Sequence, residues 1–174
     1  MKTKRITSLI LALVLALSLC LTGCGSQGGD TQEPAGDSIG SDDAKYTVGI
    51  CQLVQHDALD AATQGFIDAL NEALPGQVKI VEKNASGDSI NCSTIVNGFV
   101  SDGVDLIMAN ATPALQAAYN ATAEIPILGT SVTEYGVALG IDNFSGTVGG
   151  NVSGTSDLAP LDQQADMIVE WMPE

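Results

Sequence analysis

The chain is short of positive charge, of histidine and of cysteine, and each shortage narrows what it does. Six Lys and Arg stand against 21 Asp and Glu, a net charge of −15. Beyond Cys24 only Lys45, Lys79 and Lys83 remain against all 21 acids, a balance of −18. A surface this acidic argues against nucleic acid or an anionic headgroup as partner. There is one histidine, His56, and no spacing of His, Cys and carboxylates suggests a metal. No Ser or Cys nucleophile with a matching base and acid is evident, so nothing points to an enzyme, and no cofactor is expected. Of the four cysteines, only Cys51 and Cys92 fall in the part expected to fold. Two are too few for a disulfide framework, although they are able to pair. Cys51 stands in a predicted strand and reads as a small core residue.

Lys2, Lys4 and Arg5 form a positive start, residues 9–19 an apolar run, and Leu21-Thr22-Gly23-Cys24 follows. This is the pattern of a secretory signal, too short for a membrane span. Leu-Thr-Gly-Cys resembles the lipobox of bacterial lipoproteins, which implies a signal over 1–23 and lipidation at Cys24. The alternative is an ordinary cleavable signal with an incidental Cys. Residues 24–45 are rich in Gly, Ser, Asp, Gln and Glu, a composition that cannot bury a core, and they read as a flexible tether.

Residues 46–53 have strand composition. Asp57 is placed to cap the next helix, in which Leu59, Ala62, Phe66, Ala69, Leu70 and Ala73 recur at helical spacing. Pro75-Gly76 ends it, and residues 78–82 form a second strand. Residues 84–88 are a turn cluster. They lack the glycine spacing and lysine of a phosphate loop. Residues 90–100 read as a helix with Ile95, Val96 and Phe99 inward, stopped at Asp102-Gly103. Residues 104–109 are an apolar strand. Residues 113–122 form a helix with Leu115, Ala118 and Tyr119 inward, and a fourth strand covers 127–130. Beyond Thr130 the pattern loosens. Residues 131–133 read as loop, 136–141 as a short strand or a turn of helix, 145–154 as a Gly-rich stretch, and 161–172 as amphipathic. Strand–helix alternation implies an open parallel sheet flanked by helices, with right-handed crossovers.

The corner at 104–116 organises this pattern. Thr112 is the expected N-cap and Pro113 the expected first helical residue. The helix therefore starts at the C-terminal end of a buried strand, where open α/β sheets bind ligands. Its free N–H groups favour an anion such as a carboxylate, which makes Thr112 a ligand-binding candidate. Thr130, Ser131 and Val132 end the fourth strand and are placed to line the same cleft.

Four separated segments carry a family resemblance: residues 48–60, Asn84-Ala85-Ser86-Gly87-Asp88, Ala111-Thr112-Pro113-Ala114-Leu115-Gln116, and residues 150–157. They resemble the ABC-transporter substrate-binding proteins of the tryptophan/tyrosine type, within the type I periplasmic-binding fold. The resemblance runs from about Tyr46 to Pro173. It implies a first lobe over 46–154, then a crossing segment and the start of a second lobe over 155–174, with that second lobe missing. Asp57 stands where the family commonly has proline. By position the resemblance adds Gln52 and His56 to the ligand contacts. It also places Ser156 and Asp157 near the ligand's polar end, where a carboxylate accepts from an ammonium group. The implied role is a lipid-anchored component of an ABC importer on the extracytoplasmic face of the cell membrane. It would capture an amino-acid-like solute, aromatic or apolar, for ABC permease subunits. The rival readings are a sensory or interaction lipoprotein of the same fold, a surface enzyme, and an inactive gene fragment.

Overall fold

The computed structural model describes residues 36–172. The expected leader, Cys24, the start of the expected tether and Pro173 lie outside the described residues. The elements are β1 (Gly36–Ile39), β2 (Tyr46–Gln52), α1 (Asp57–Ala73), β3 (Val78–Asn84), α2 (Ser89–Asp102) and β4 (Leu106–Asn110), followed by α3 (Thr112–Ala121), β5 (Ile127–Val132), α4 (Tyr135–Leu139), β6 (Val152–Ser156) and α5 (Leu161–Trp171). One sheet runs in the order β1-β3-β2-β4-β5-β6. From β3 to β6 every pairing is parallel, with β2 and β4 neighbours at the centre. The open parallel sheet flanked by helices is therefore the fold that this chain builds.

Alternation along the central strands sorts the core onto two faces. Val48 and Ile50 of β2, Ile80 of β3 and Met108 of β4 pack with Ile67, Phe66 and Leu70 of α1. The other face carries Cys51, Ile107, Ala109 and Ile127 against Ile95, Val96 and Phe99 of α2 and Ala114, Leu115 and Ala118 of α3. Phe99 comes so close to β2 that a Cβ on Gly49 would lie 2.6 Å from its ring. A glycine is needed there for space rather than for its backbone freedom. Helix α2 stops where expected: Gly103 takes the left-handed conformation at φ 67°, and its N–H bonds back to the Phe99 and Val100 carbonyls.

Several expectations change. Part of the expected tether is ordered, because β1 adds antiparallel to β3 from Gly36↔Lys83 to Ile39↔Ile80. Pairing with an open sheet edge uses backbone groups and needs no apolar side chain, which is why composition hid it. Asp42, also read as tether, sits 2.6 Å from Lys79 Nζ. The Lys79 hydrogen bond, then its charge, holds the Asp42 carboxyl below the usual range. In α1 the fully buried positions are Thr63 and Ile67, while Ala69 and Ala73 are exposed. The apolar stripe misplaced the inward face because a threonine occupies its centre. Tyr119 is 42% exposed rather than inward, since α3 meets the sheet through its alanines and Leu115.

Past Thr130 the chain is more regular than its pattern. Strand β5 continues to Val132, through residues expected as loop. Residues 135–139 are helical, started by Glu134, whose carboxylate accepts from the N–H groups of Gly136 and Val137. The Gly-rich stretch runs into β6, a further parallel strand beside β5. Helix α5 buries none of its residues, and Leu161, Met167, Ile168, Val169 and Trp171 are all exposed.

The Gly49–Phe99 contact is testable. Gly49→Ala should destabilise the chain by ~1–3 kcal/mol in urea unfolding, as overpacking does. Adding Phe99→Leu should cost less than the sum of the two single changes. Strict additivity would show that the two residues do not compete for the same space.

Candidate functional site

The C-terminal tips of the parallel strands form one ledge. Gln52 of β2 pairs with Asn84 on one side and Asn110 on the other, and Asn110 pairs with Thr130. The loops beyond the tips are tied together. Leu53 N–H donates to the Asn110 carbonyl (3.2 Å), Ala85 N–H to that of Gln52 (2.9 Å), Gly87 N–H to that of Leu53 (2.8 Å) and Ala111 N–H to that of Thr130 (3.0 Å). Strands β2 and β4 are the pair at which the strand order reverses, the position where open α/β sheets hold ligands.

Helix α3 starts on this ledge in an unusual way. Its N-cap is Ala111, not Thr112, and no side chain caps it; Thr112 is already helical and Pro113 follows it. Ala111 holds φ 91° and ψ 157°, a region essentially reserved for glycine, and it is 7% exposed. Such a residue stores ~1–3 kcal/mol of strain and persists only where its surroundings force it. The first-turn N–H groups of α3, those of Thr112 and Ala114, consequently have no capping side chain. Thr112 is half-buried at the strand tips, whereas Ala114 is wholly buried.

Behind the ledge lies a polar network that the sequence pattern did not reveal. Asn110 is fully buried, and its Nδ2 donates to the Leu59 carbonyl (2.8 Å) and to Thr63 Oγ1 (2.9 Å). Thr63 Oγ1 donates to Gln52 Oε1 at 2.6 Å. Gln52 Nε2 donates to the Val54 carbonyl (2.9 Å) and to Asp60 Oδ1 (2.5 Å). Asn110 Oδ1 has no partner among the described residues. The Leu59 carbonyl only accepts, so it fixes which end of the amide is which. The signal available in the sequence is a polar residue, Asn110, directly after an apolar strand. Gln52 was expected to meet a ligand; it is 2% exposed and turned inward to this network.

His56 is exposed and serves α1 as its N-cap, with Nδ1 accepting from Ala58 N–H at 3.2 Å. Asp57, expected in that role, is one residue too late and is helical. Thr130 Oγ1 lies 3.4 Å from Thr155 Oγ1 on the neighbouring strand. Ser131 sits at φ 55°. Val132 is wholly buried and belongs to the core, so it lines no cleft. Ser156 Oγ donates to the Thr133 carbonyl (2.7 Å) and accepts from Leu158 N–H (3.2 Å). It turns the chain rather than capping α5, whose N-cap is Pro160. Asp157 is exposed, and its N–H donates to the Val132 carbonyl (3.1 Å). Burial, and after it the Asp157 charge, pushes the Tyr135 phenol up; its hydroxyl donates to the Thr155 carbonyl at 3.1 Å.

Two cavities border the β5–β6 end of the ledge. One of about 560 Å³ is lined by Thr133, Tyr135, Phe144, Ser156 and Leu158 among others. The other, about 350 Å³, lies beside Phe66, Met108, Leu128, Thr130 and Thr155. Thr130 and Ser156 thus touch different cavities, while Gln52, His56 and Thr112 line neither.

Comparison with known proteins places this geometry. A family model described as ABC transporter substrate binding protein matches residues 47–174. The chain belongs to that family. It is 41% identical over 177 residues to a tyrosine-binding protein of Clostridioides difficile (strain R20291), covering all of this chain and 50% of that protein. Among solved structures, it resembles the ligand-free, open form of a substrate-binding protein with adhesive properties from Clostridium difficile. There the TM-score is 0.67 and the identity 40%, over 74% of this chain and 44% of the other. It also resembles a Streptococcus pneumoniae ABC domain in complex with L-Trp, with TM-score 0.66 and identity 34% over 72% of this chain and 43% of that one. The chain spans about half the length of the relatives it matches.

Two substitutions test the ledge. Ala111→Gly should raise stability by ~1 kcal/mol in urea unfolding, because relief of strain outweighs the added backbone entropy; a loss would mean that the backbone there is unstrained. Thr63→Val keeps the shape but removes the hydroxyl that Asn110 and Gln52 share, and should cost ~1–3 kcal/mol. A neutral outcome would show that the network is not closed through Thr63.

Proposed function

We propose that this chain supplies one wall of the amino-acid site of an ABC importer's solute-binding component, held by a lipid on Cys24 at the extracytoplasmic face of a bacterial membrane. One observation carries the reading. At the strand tips where the order reverses, a strained, buried alanine starts α3 with no capping side chain. Free N–H groups at a helix start, with the positive end of its dipole, suit a carboxylate. Asp157, exposed just beyond β6, is assigned to the ammonium. The tyrosine named for one relative and the tryptophan bound to another favour an aromatic amino acid. The action is capture without bond-making. Membership of the family supports burial of the solute between two lobes and recognition of the closed form by permease subunits. By the same resemblance, residues 46–154 form the first lobe and 155–174 lead toward a second.

The interaction-lipoprotein alternative has one observation in its favour, the adhesive properties stated for one solved relative. Genes for a permease and an ATPase beside this one would decide for transport.

The carboxylate assignment is open to a direct test. In a nuclear magnetic resonance titration with millimolar tryptophan, the amide signal of Thr112 should shift. Tryptamine, which lacks the carboxylate, should leave it in place. Affinity for this chain alone should be weak, in the millimolar range or about 4 kcal/mol of binding free energy. Equal shifts with both compounds, or none with tryptophan, would remove the helix start from the site.

A further inference from the structure

Two thiols that take no part in the ledge lie directly behind it. Cys51 is the residue before Gln52 at the tip of β2, and Cys92 belongs to the first turn of α2. Both are wholly buried and lie in the core on the α2–α3 face of the sheet. Their approach follows from how α2 crosses β2. Phe99 packs onto Gly49. Two turns back along the helix, on the same face, is Cys92; two residues on along the strand, on the same face, is Cys51. The helix returns against the strand direction, as the crossover requires, so these steps lead to the same place. The two side chains are brought together there, in one buried core cluster. The neighbouring Cys92 first, and burial after it, pushes the Cys51 thiol up.

We propose that Cys51 and Cys92 are a cross-linking site, closing an intramolecular disulfide that fastens the first turn of α2 to the tip of β2. The oxidant is a disulfide, supplied where chains fold outside the cytoplasm; the proposal rests on the extracytoplasmic reading for that supply alone. The thiolate of either cysteine attacks one sulfur of the donor, forming a mixed disulfide and expelling one thiolate. The other cysteine then loses its proton and attacks the first cysteine's sulfur, and the second donor thiolate leaves. Two cysteine thiols are oxidised, one donor disulfide is reduced to two thiols, and the chain loses two hydrogens. Because both sulfurs are buried, the exchange takes place before α2 has docked. The bond then constrains the loop from 51 to 92, which includes α1, β3 and the turn at 84–88.

The test uses the full chain, unfolded and reduced, then refolded with oxidised and reduced glutathione. Alkylation in denaturant and peptide masses then locate any link and separate this pair from Cys20 and Cys24. The peptides holding Cys51 and Cys92 should be joined and unalkylated, and reductant should release them. The oxidised chain should melt ~5 °C or more above the reduced one, and Cys92→Ser should abolish the link. If both cysteines are alkylated after refolding, or are linked only between chains, the cross-link is wrong. Since the oxidant is supplied in the tube, that failure would leave the solute-capture reading untouched. Loss of amino-acid binding in the titration above would likewise leave the cross-link standing.

Discussion

The register of β2 on β4 sets Gln52 beside Asn110, and the rest of the ledge is a consequence. A parallel pair whose joining segments cross to opposite faces needs both faces covered, so almost every residue of the two strands is buried. Parity then decides what each tip residue meets. Gln52 follows Val48 and Ile50, and Asn110 follows Met108; all face α1. Two amides side by side in a dry interior must be hydrogen bonded. Helix α1 answers with Thr63, the Leu59 carbonyl and Asp60. The same threonine hydroxyl takes a bond from one amide and gives one to the other, so α1 is locked to both strands at a single point.

That lock explains how the strain at Ala111 survives. Its N–H is bound to the Thr130 carbonyl, and its carbonyl accepts from Leu115 N–H. Asn110 before it is held by α1, and Ala114 and Leu115 after it are wholly buried. The residue cannot relax without moving β4, β5 or α3. An abrupt turn from strand to helix leaves no room for a capping side chain, and the N–H groups of the first turn have no side-chain partner. Asn110 Oδ1, buried without a partner among the described residues, is a second unmet group at the same corner. Disagreement between local preference and the finished structure gathers at sites of function more than elsewhere.

The alternation of strands and helices was legible because each parallel strand is a short apolar run bounded by glycine, proline or a polar turn. The open parallel sheet, with a ligand corner at the C-terminal ends of its strands, followed from it. The edge strands were not legible, since β1 and β6 use Gly, Ser, Asp and Thr, and backbone pairing asks nothing of side chains. Thr63 was invisible for a different reason. A polar residue on an apolar stripe reads as a fault in the stripe until its partner, eleven residues away on the neighbouring strand, is known. For Ala111 and Thr112 a residue type was weighed without its backbone angle. Threonine is the better cap by preference, yet the chain enters the helix one residue earlier, through an alanine whose conformation no propensity favours. Gln52 and Val132 were nominated by position at a strand end, but position gives no direction, and both point inward.

Direction also separates Gln52 from its neighbour. Adjacent strand residues face opposite sides of a sheet, so Cys51 and Gln52 reach different helices. Gln52 is held to α1 through Thr63, and Cys51 lies in one buried core cluster with Cys92 of α2. The tip of β2 is thereby gripped from both faces immediately before the loop that carries His56. The Leu53 backbone adds bonds to the tip of β4 and to the loop after β3. A ligand surface built from backbone N–H groups needs such fixation, because a backbone donor cannot be repositioned by a change of rotamer; the peptide that bears it has to be held where it is. Here a polar network does the holding on one side and the packing of Cys51 in the core beneath α2 on the other. The network's bonds exchange freely with water once the chain opens, whereas a bond between the sulfurs of Cys51 and Cys92 would outlast the opening.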